Sequence, residues 1–362
     1  PSGPVHGDLD AGAATFDAPP ERPESSGHEL WVGEGEAYTS LQEASKHSQE
    51  GDTIYVRAGT YVNDYATFNH SVSIIGVGGQ AHFKWEGLEQ DPSSKIWVQQ
   101  VGKPWIPNGK GIIDISPHAG DVYVENLTLS GATSGQTNGA GIRHHGSNLT
   151  VVNTVFIDNE NGILAAPNNP EDAVVRVYGS EFLGNGYEDG KSHAMYISKT
   201  GTLVVENTVI RDTVEGHHVK SLAETTIVRN SVLDDGAGTS SYSVDVSGGG
   251  SLLVENNLIT QGAETGNRQI FNYSLERGGE EGEVIFRDNT IVNASTTGIL
   301  IRNATDIPVL FEGNRFEMID GGKLQLLSGK AVFTGNMLDG EVLEDFDHFT
   351  HAVKGTEGSD HL

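Results

Sequence analysis

Three segments that decide the fold read LVVENTVI (203–210), TIVRNSVL (226–233) and LLVENNLI (252–259). Each consists of a short apolar strand, a turn with asparagine, and a second apolar pair. The unit recurs as VYVENLTL (122–129), LTVVNTVF (149–156), VRVYGSEF (175–182), VIFRDNTI (284–291), VLFEGNRF (309–316) and AVFTGNML (331–338). Repeats at this spacing are typical of a solenoid. Because the strands are too short and too widely spaced for hairpins, we predict an all-β parallel β-helix of about ten coils.

Asparagines mark the successive turns of these units, at Asn207, Asn230, Asn256, Asn289, Asn314 and Asn336. Asparagine tolerates the left-handed backbone geometry of a tight bend. Its amide can also bond the equivalent amide of the coils above and below. We therefore predict that these asparagines have a structural role.

The segment SLQEASKHSQEGDTIYVRAGTY (40–61) precedes the repeats. Leu41, Ala44 and His47 fall at helical spacing, which predicts a short N-terminal capping helix that shields the first edge strand. Residues 1–28, rich in proline, glycine and acidic residues, are expected to form a flexible or extended segment. We place the β-helix at 29–345 and a C-terminal tail at 346–362.

Composition limits the possible partners. The 362 residues include 22 Lys and Arg but 50 Asp and Glu, a formal charge of −28, which argues against nucleic acid. The absence of cysteine excludes a thiol nucleophile, a cysteine-based zinc site and an iron–sulfur cluster. No apolar run is long enough for a transmembrane helix. We expect a monomer that does not insert into membranes.

A second short strand precedes each asparagine unit, and we align these strands on the apolar centres Ile142, Ile163, Met195, Val219, Val244, Ile270 and Ile299. Side chains alternate along a strand, so the residues after the centres should form one outward row. That predicted row is Arg143, Leu164, Tyr196, Lys220, Asp245, Phe271 and Leu300. The residue before each centre should also point outward, which would set His218 beside Lys220. His193, His217 and Tyr242 begin the same strands and are expected to border the row.

The capping segment and the repeats resemble the pectate-lyase-like right-handed parallel β-helix superfamily, over about residues 35–340. The segments GAGIRHHG (139–146), NGILAA (161–166), GHHVKSLAETTIVRNSVLDD (216–235) and SSYSVDVSGGG (240–250) look like secreted bacterial β-helix proteins related to polysaccharide lyases and mannuronan C5-epimerases. The resemblance implies a right-handed helix and a secreted, extracellular or periplasmic location. It also implies a carbohydrate-active enzyme on an acidic polysaccharide such as alginate.

The outward row suits abstraction of the C5 proton of a uronate. This reaction needs positive charge at the uronate carboxylate and a base near C5. Arg143 and Lys220 can supply the charge, while His218, Tyr196 or Lys220 can supply the base. We therefore predict catalytic roles for Tyr196, His218, Lys220, His193 and Arg143, with substrate binding by Asp245, His217, Tyr242, Phe271 and Tyr273. Departure of the glycosidic oxygen would make the enzyme a lyase, and reprotonation from the other face an epimerase.

Two other classes of function stay open. A non-catalytic β-helix for adhesion or glycan binding would carry the same row as an ion pair with an aromatic cover. A glycoside hydrolase needs clustered carboxylates, for which Glu188, Asp189 or Glu215 could join Asp245. No transition-metal site is predicted, and no cofactor is certain. Calcium is possible at the acidic loops GYEDGK (186–191) and ERGGEEGE (276–283).

Overall fold

The computed structural model describes residues 18–86, 88–90, 97–99, 110–134, 138–165, 170–187, 190–236, 238–275, 279–325 and 329–343. The predicted C-terminal tail and residues 1–17 lie outside the described residues. The described chain forms parallel coils, as predicted, and each coil contributes strands to three stacked sheets. No helix in these ranges is long and apolar enough to cross a membrane.

Sheet 1 stacks the strands that precede the asparagine turns. Its strands are Glu29–Val32, Asp52–Val62, Val72–Lys84, Val122–Glu125, Leu149–Val152, Val174–Tyr178, Thr202–Glu206, Thr225–Arg229, Gly250–Glu255, Glu281–Arg287, Pro308–Glu312 and Lys330–Thr334. Neighbouring strands pair in parallel, as between Thr202–Glu206 and Thr225–Arg229. The long strand Val72–Lys84 also pairs with the first strand of sheet 2.

Sheet 2 stacks the strands that follow the asparagine turns. They are Leu127–Ser130, Val155–Ile157, Glu181–Leu183, Val209–Arg211, Val232–Asp234, Leu258–Gln261, Thr290–Asn293, Arg315–Met318 and Asn336–Leu338. The strand Glu341–Leu343 pairs antiparallel with Asn336–Leu338. A separate antiparallel pair joins Leu88–Gln90 and Trp97–Gln99.

Sheet 3 stacks the strands that precede sheet 1 in each coil, and it carries the predicted row. Its ten strands in the described chain are Ala66–Phe68, Gly111–Ile115, Ala140–His144, Asn161–Ala165, Met195–Ile197, Val219–Ser221, Val244–Val246, Gln269–Tyr273, Gly298–Asn303 and Leu324–Gln325. They stack in sequence order, one strand per coil, which agrees with the predicted number of coils.

The capping helix is confirmed as α1, Leu41–His47. The Ser40 hydroxyl accepts the Glu43 N–H at 3.1 Å, and the Asp64 carboxylate accepts the Leu41 N–H at 2.6 Å. These bonds satisfy N–H groups that the first turn of a helix leaves unpaired. Leu41 and Ala44 are buried, so the helix packs its apolar side onto the first coils.

Apolar side chains from all three sheets fill the interior in stacks that repeat from coil to coil. The rings of Phe156 and Phe182 stack at 4.4 Å, and those of Phe286 and Phe311 at 4.9 Å. Each fully buried aromatic or aliphatic side chain contributes about 1.5–3 kcal/mol. The stacks therefore hold neighbouring coils in register.

The turn asparagines belong to two ladders rather than one. Asn207, Asn230 and Asn256 have positive φ at the bend, as predicted, and the Asn256 amide donates to Asn230 Oδ1 at 2.7 Å. The predicted left-handed geometry is wrong for Asn289, Asn314 and Asn336, because Asp288, Gly313 and Gly335 have the positive φ in those coils, but the predicted amide bonds between coils are confirmed. The three asparagines follow the bend and are buried. Asn289 Nδ2 donates to Asn314 Oδ1, and Asn314 Nδ2 to Asn336 Oδ1.

Candidate functional site

A single row of side chains runs along the outer face of sheet 3. Strand pairing places in register, one residue per coil, Thr67, Asp114, Arg143, Leu164, Tyr196, Lys220, Asp245, Asn272 and Arg302. This set is called the outer row below. The predicted neighbours Tyr196, Lys220 and Asp245 lie side by side in it, with Arg143 two coils away. Their catalytic and binding roles stay predictions.

Asp245 is the centre of the polar contacts in the outer row. Its Oδ2 atom lies 3.3 Å from Lys220 Nζ and 3.4 Å from His217 Nε2. Its Oδ1 atom accepts a hydrogen bond of 2.7 Å from Asn272 Nδ2. The carboxylate is buried, whereas the Lys220 side chain is 23% exposed. Asp245 therefore fixes an ammonium group that solvent, and hence a ligand, can reach.

Tyr196 completes this group on the side away from Asp245. Lys220 Nζ lies 5.7 Å from the centre of the Tyr196 ring, and the ring of His193 meets Tyr196 edge-on at 5.6 Å. Tyr196 is partly exposed, and His193 is buried. A cation at this distance from an aromatic face is attracted to it. Tyr196 thus presents a phenol beside the held ammonium group.

His193, His217 and Tyr242 border the outer row, as predicted, and form a ladder of rings. The rings of His193 and His217 stack at 4.5 Å, and those of His217 and Tyr242 lie 4.9 Å apart. The backbone N–H of His217 donates to His193 Nδ1 at 3.0 Å, and that of Tyr242 to His217 Nδ1 at 3.3 Å. Burial, with nearby positive charge, holds the pKa of both histidines well below the ordinary value.

These bonds decide what the two histidines can do. A neutral imidazole carries one proton, and an Nδ1 atom that accepts a hydrogen bond leaves that proton on Nε2. His193 and His217 therefore present Nε2–H donors, which suits the contact of His217 with Asp245. In this form Nε2 has no lone pair for a proton or a metal ion.

Arg143 lies in a second charged group farther along the outer row. Its Nε donates to His145 Nε2 at 3.2 Å, and its Nη1 donates to the Asn138 carbonyl at 3.0 Å. Asp114, the next residue in the row, was not among the predicted site residues. Burial raises the pKa of the Asp114 carboxyl, although His145 and Arg143 oppose that effect.

The predicted outward placement of Phe271 and Tyr273 is wrong. Val244 pairs with Phe271 rather than with Ile270, so the alignment slips by one residue and reverses the strand's faces. Phe271 and Tyr273 are buried in the core, where Tyr273 donates to the Gly250 carbonyl at 2.8 Å. A buried side chain of this kind cannot stack on a sugar.

The correct register adds two residues that the alignment missed. Asn272 follows Asp245 in the outer row, and Arg302 follows Asn272. Arg302 Nη1 donates to Asn272 Oδ1 at 3.5 Å. The polar residue between Phe271 and Tyr273 was the available signal, since a single asparagine between two large apolar residues favours the outer face.

The predicted position of His218 is also wrong. Its side chain is fully buried rather than facing outward beside Lys220, and Nε2 lies 3.7 Å from Asp235 Oδ1. Ala194, which occupies the same place one coil earlier, lies in the apolar core. Burial lowers the pKa of His218 to about 4. A ligand on the outer face therefore cannot reach this imidazole.

The remaining predicted groups lie elsewhere. Glu215 is exposed at a bend, and Glu188 and Asp189 lie outside the described residues, as do parts of both acidic loops. The described residues contain no cluster of three or more metal-ligating side chains. A cavity of about 690 Å³ between residues 20–26 and sheet 1 is lined by Glu21, Glu24, Glu50, Asp52, Asp121 and Arg176 among others. This excess of carboxylates would repel a polyanion.

Comparison with known proteins supports the fold. Residues 179–338 match the family model described as right handed beta helix region. Among solved structures, an alginate lyase from Paenibacillus sp. str. FPU-7 matches with a TM-score of 0.54 and 17% identity, covering 84% of this chain and 99% of its own. Pectate lyase Pel9A matches with a TM-score of 0.50 and 14% identity, covering 86% and 78%. A pectin methylesterase from Aspergillus niger follows with a TM-score of 0.43 and 9% identity, covering 95% and 94%.

No protein of curated function matches the sequence. The identities to the solved structures are low, so these likenesses bear on the fold and not on the reaction. Together with the stacked parallel sheets, the family model and the two lyase structures confirm the architecture predicted from the repeats. The chain has a right-handed parallel β-helix fold, which it shares with these two lyase structures.

Proposed function

We propose that this protein is a polyuronate lyase or C5-epimerase that abstracts the C5 proton of a uronate held along the outer row. The observation that carries the proposal is the contact group in which Asp245 holds Lys220 beside Tyr196, with Lys220 Nζ 3.3 Å from the Asp245 carboxylate. This group brings a reachable cation and a phenol together, and it does not repeat in the other coils that the structure describes.

Lys220 is assigned to the uronate carboxylate. That carboxylate gains negative charge as the C5 proton leaves, because the electrons of the C–H bond delocalise into it. A fixed ammonium group stabilises the developing charge without having to reorganise. Asp245 holds the ammonium group directly, and His217 and Asn272 fix the Asp245 carboxylate, so all three act as positioning residues.

Tyr196 is assigned to proton transfer. His193 and His217 present N–H groups, and His218 is buried, so none of the three has a lone pair facing the outer row. As a phenolate, Tyr196 would take the C5 proton. In a lyase the C4–O bond then breaks, C4 and C5 become doubly bonded, and Tyr196 gives the proton it has taken to the leaving oxygen. In an epimerase the C4–O bond stays intact and C5 takes a proton from water on the opposite face, while Tyr196 later releases its proton to solvent.

The outer row also suits the shape and charge of a uronate polymer. Coils repeat every ~4.8 Å, which is about the length of one sugar. A polysaccharide that lies along the helix axis therefore places about one sugar at each position of the outer row. Arg143 and Lys220 supply local cations on a protein with a formal charge of −28. The solved neighbours named alginate lyase and pectate lyase support a polyuronate, and alginate is our first choice. We further propose an extracellular or periplasmic monomer.

Hydrolysis has less support. Asp114 and Asp245 are the only carboxylates of the outer row, and five strand pairings separate them, about 24 Å. Hydrolytic pairs lie about 5–10 Å apart. Asp245, moreover, already accepts contacts from Lys220, His217 and Asn272.

The test is a panel of polymannuronate, polyguluronate and polygalacturonate. Ultraviolet absorbance of unsaturated uronate reports a lyase, and proton NMR of C5 exchange in D2O reports an epimerase. We expect one polymer to react, and Tyr196→Phe to slow the reaction by about 10²–10⁴-fold because it removes the transferring group. Each reaction is repeated with added calcium and with a chelator, which tests the calcium expected at the acidic loops.

Tyr187→Phe serves as the matched control, because it removes a phenol hydroxyl from a residue outside the outer row. If no polymer gains unsaturation or exchanges C5 protons, with or without calcium, the proposal is wrong. Binding without reaction would favour the non-catalytic alternative. Full activity of Tyr196→Phe would retain the reaction class and reject the assignment of Tyr196.

A further inference from the structure

The cations of the outer row have a regular spacing. Three strand pairings separate Arg143 from Lys220, and three more separate Lys220 from Arg302. At about 4.8 Å per coil, neighbouring cations lie about 14 Å apart. A uronate polymer along the row would therefore meet a cation at about every third sugar.

Arg302 is tied to the centre of the site through one intermediate residue. Its Nη1 donates to Asn272 Oδ1 at 3.5 Å, while Asn272 Nδ2 donates to Asp245 Oδ1 at 2.7 Å. Asn272 is buried and Arg302 is partly exposed. The amide is thus oriented by Asp245 and presents its oxygen to the guanidinium group, which turns Arg302 toward the row.

We propose that Arg302 forms a distal subsite for a uronate carboxylate, three sugars from the reacting residue, with Asn272 as its positioning residue. This inference rests on the proposed function and adds a preference for chain length. A trimer that places its terminal sugar at Lys220 ends before Arg302. A tetramer bound in the same way reaches Arg302, because each sugar covers about one coil.

The experiment uses size-defined saturated oligomers of mannuronate, guluronate and galacturonate, from dimer to octamer, in calorimetric binding with the full chain. We expect affinity for the reactive uronate to rise by about tenfold when the oligomer becomes long enough to reach Arg302. A tenfold rise is about what one charged hydrogen bond contributes to binding. Arg302→Ala should remove this step and leave trimer affinity unchanged. On polymer, KM should rise by a similar factor while kcat stays constant.

Arg315→Ala is the matched control, because it removes the same charge from sheet 2. Arg302→Lys should keep part of the step, and thermal melting checks that each variant is folded. The step should also shrink at high salt. If Arg302→Ala and Arg315→Ala behave alike at every length, or no oligomer binds, the subsite is wrong. A step that depends on Arg302 in a protein that neither cleaves nor epimerises would support the subsite and reject the proposed function.

Discussion

Two faces of this β-helix carry charged rows built in the same way, with one residue per coil. On sheet 1, strand pairing stacks Glu206, Arg229, Glu255, Arg287 and Glu312, in which the sign of the charge alternates. Arg229 Nε contacts Glu206 Oε1 at 3.1 Å, and Arg287 Nε contacts Glu255 Oε1 at 2.7 Å. Each charge has a neighbour of opposite sign, so the charges of this row neutralise one another.

The outer row of sheet 3 does not alternate. It sets a tyrosine, a lysine, an aspartate and an asparagine in succession, and a ladder of histidine rings borders them. Lys220 is paired but partly exposed, whereas Arg229 and Glu206 are nearly buried. The difference shows that a stacked row of charged residues is not in itself a ligand-binding site. A functional row is one in which the repeat is broken and a held cation stays within reach of a ligand.

The largest expected difference between the two rows is the loss of activity in Lys220→Ala. We expect kcat/KM on the reactive polymer to fall by about 10³-fold, because the variant removes the charge that stabilises the transition state. Thermal melting checks that the variant is folded, because the substitution leaves the buried Asp245 carboxylate without its cation. Lys199→Ala, an exposed lysine of the same coil as Tyr196, is the control and should change activity by less than about twofold. Equal activities of the two variants would remove Lys220 from the mechanism.

The opposite behaviour is expected at Arg229 on sheet 1. Arg229→Ala leaves Glu206 buried without its cation, which should cost about 3–5 kcal/mol of unfolding free energy. Activity of the folded fraction should be nearly unchanged. Arg287→Ala, whose pair is more exposed, should cost about 1 kcal/mol or less. Denaturant unfolding measures both, and equal losses would show that burial does not distinguish the two pairs.

Acid stability gives a smaller contrast, because the charged row from Glu206 to Glu312 contains no histidine, whereas several histidines are buried beside sheet 3. His144 is fully buried, with Nε2 3.0 Å from the Ser147 carbonyl, and burial lowers its pKa to about 4. Its folded pKa is below its unfolded pKa of about 6.5, so it favours folding above pH 6.5. That contribution is lost as the pH falls toward 4, by about 2 kcal/mol at pH 5.

We therefore expect His144→Gln to reduce the difference in unfolding free energy between pH 7 and pH 5 by about 2 kcal/mol. His118→Gln, at an exposed histidine, should leave that difference unchanged. Denaturant midpoints at the two pH values measure the effect. An unchanged difference in His144→Gln would mean that this imidazole gains its proton without unfolding.

Part of the candidate site could be predicted because its strands alternate clearly. Val219-Lys220-Ser221 and Val244-Asp245-Val246 each place one charged residue between two smaller ones, so period two assigns the outward side chain. In Gln269-Ile270-Phe271-Asn272-Tyr273, two apolar residues are adjacent and either could be the centre. Centring this strand on Ile270 moved Phe271 and Tyr273 outward and hid Asn272. Centring the next strand on Ile299 rather than Ile301 placed the buried Leu300 in the row instead of Arg302.

The outward position predicted for His218 is wrong for a different reason. Strict alternation places it outward, but the chain bends into the strand at that point. The equivalent Gly141 and Gly162 lie against the core rings Phe156 and Phe182, and Ala194 lies in the core. Small residues at this position in three coils indicate that it faces the interior of the β-helix. A single histidine there could not be recognised from its own strand.

The sequence by itself determined the coils, the presence of a turn between sheets 1 and 2 in each coil, and the capping helix, because each depends on residues close together in the chain. Short apolar runs, asparagine at a bend and helical spacing act locally. Only the tertiary structure decided which residues meet across coils: the sharing of Asp245 by Lys220, His217 and Asn272, the protons of the histidine ladder and the register that brings Arg302 into the row. Loops of unequal length separate these strands, so their register is set by hydrogen bonds between coils and by packing of the interior, which no single coil contains.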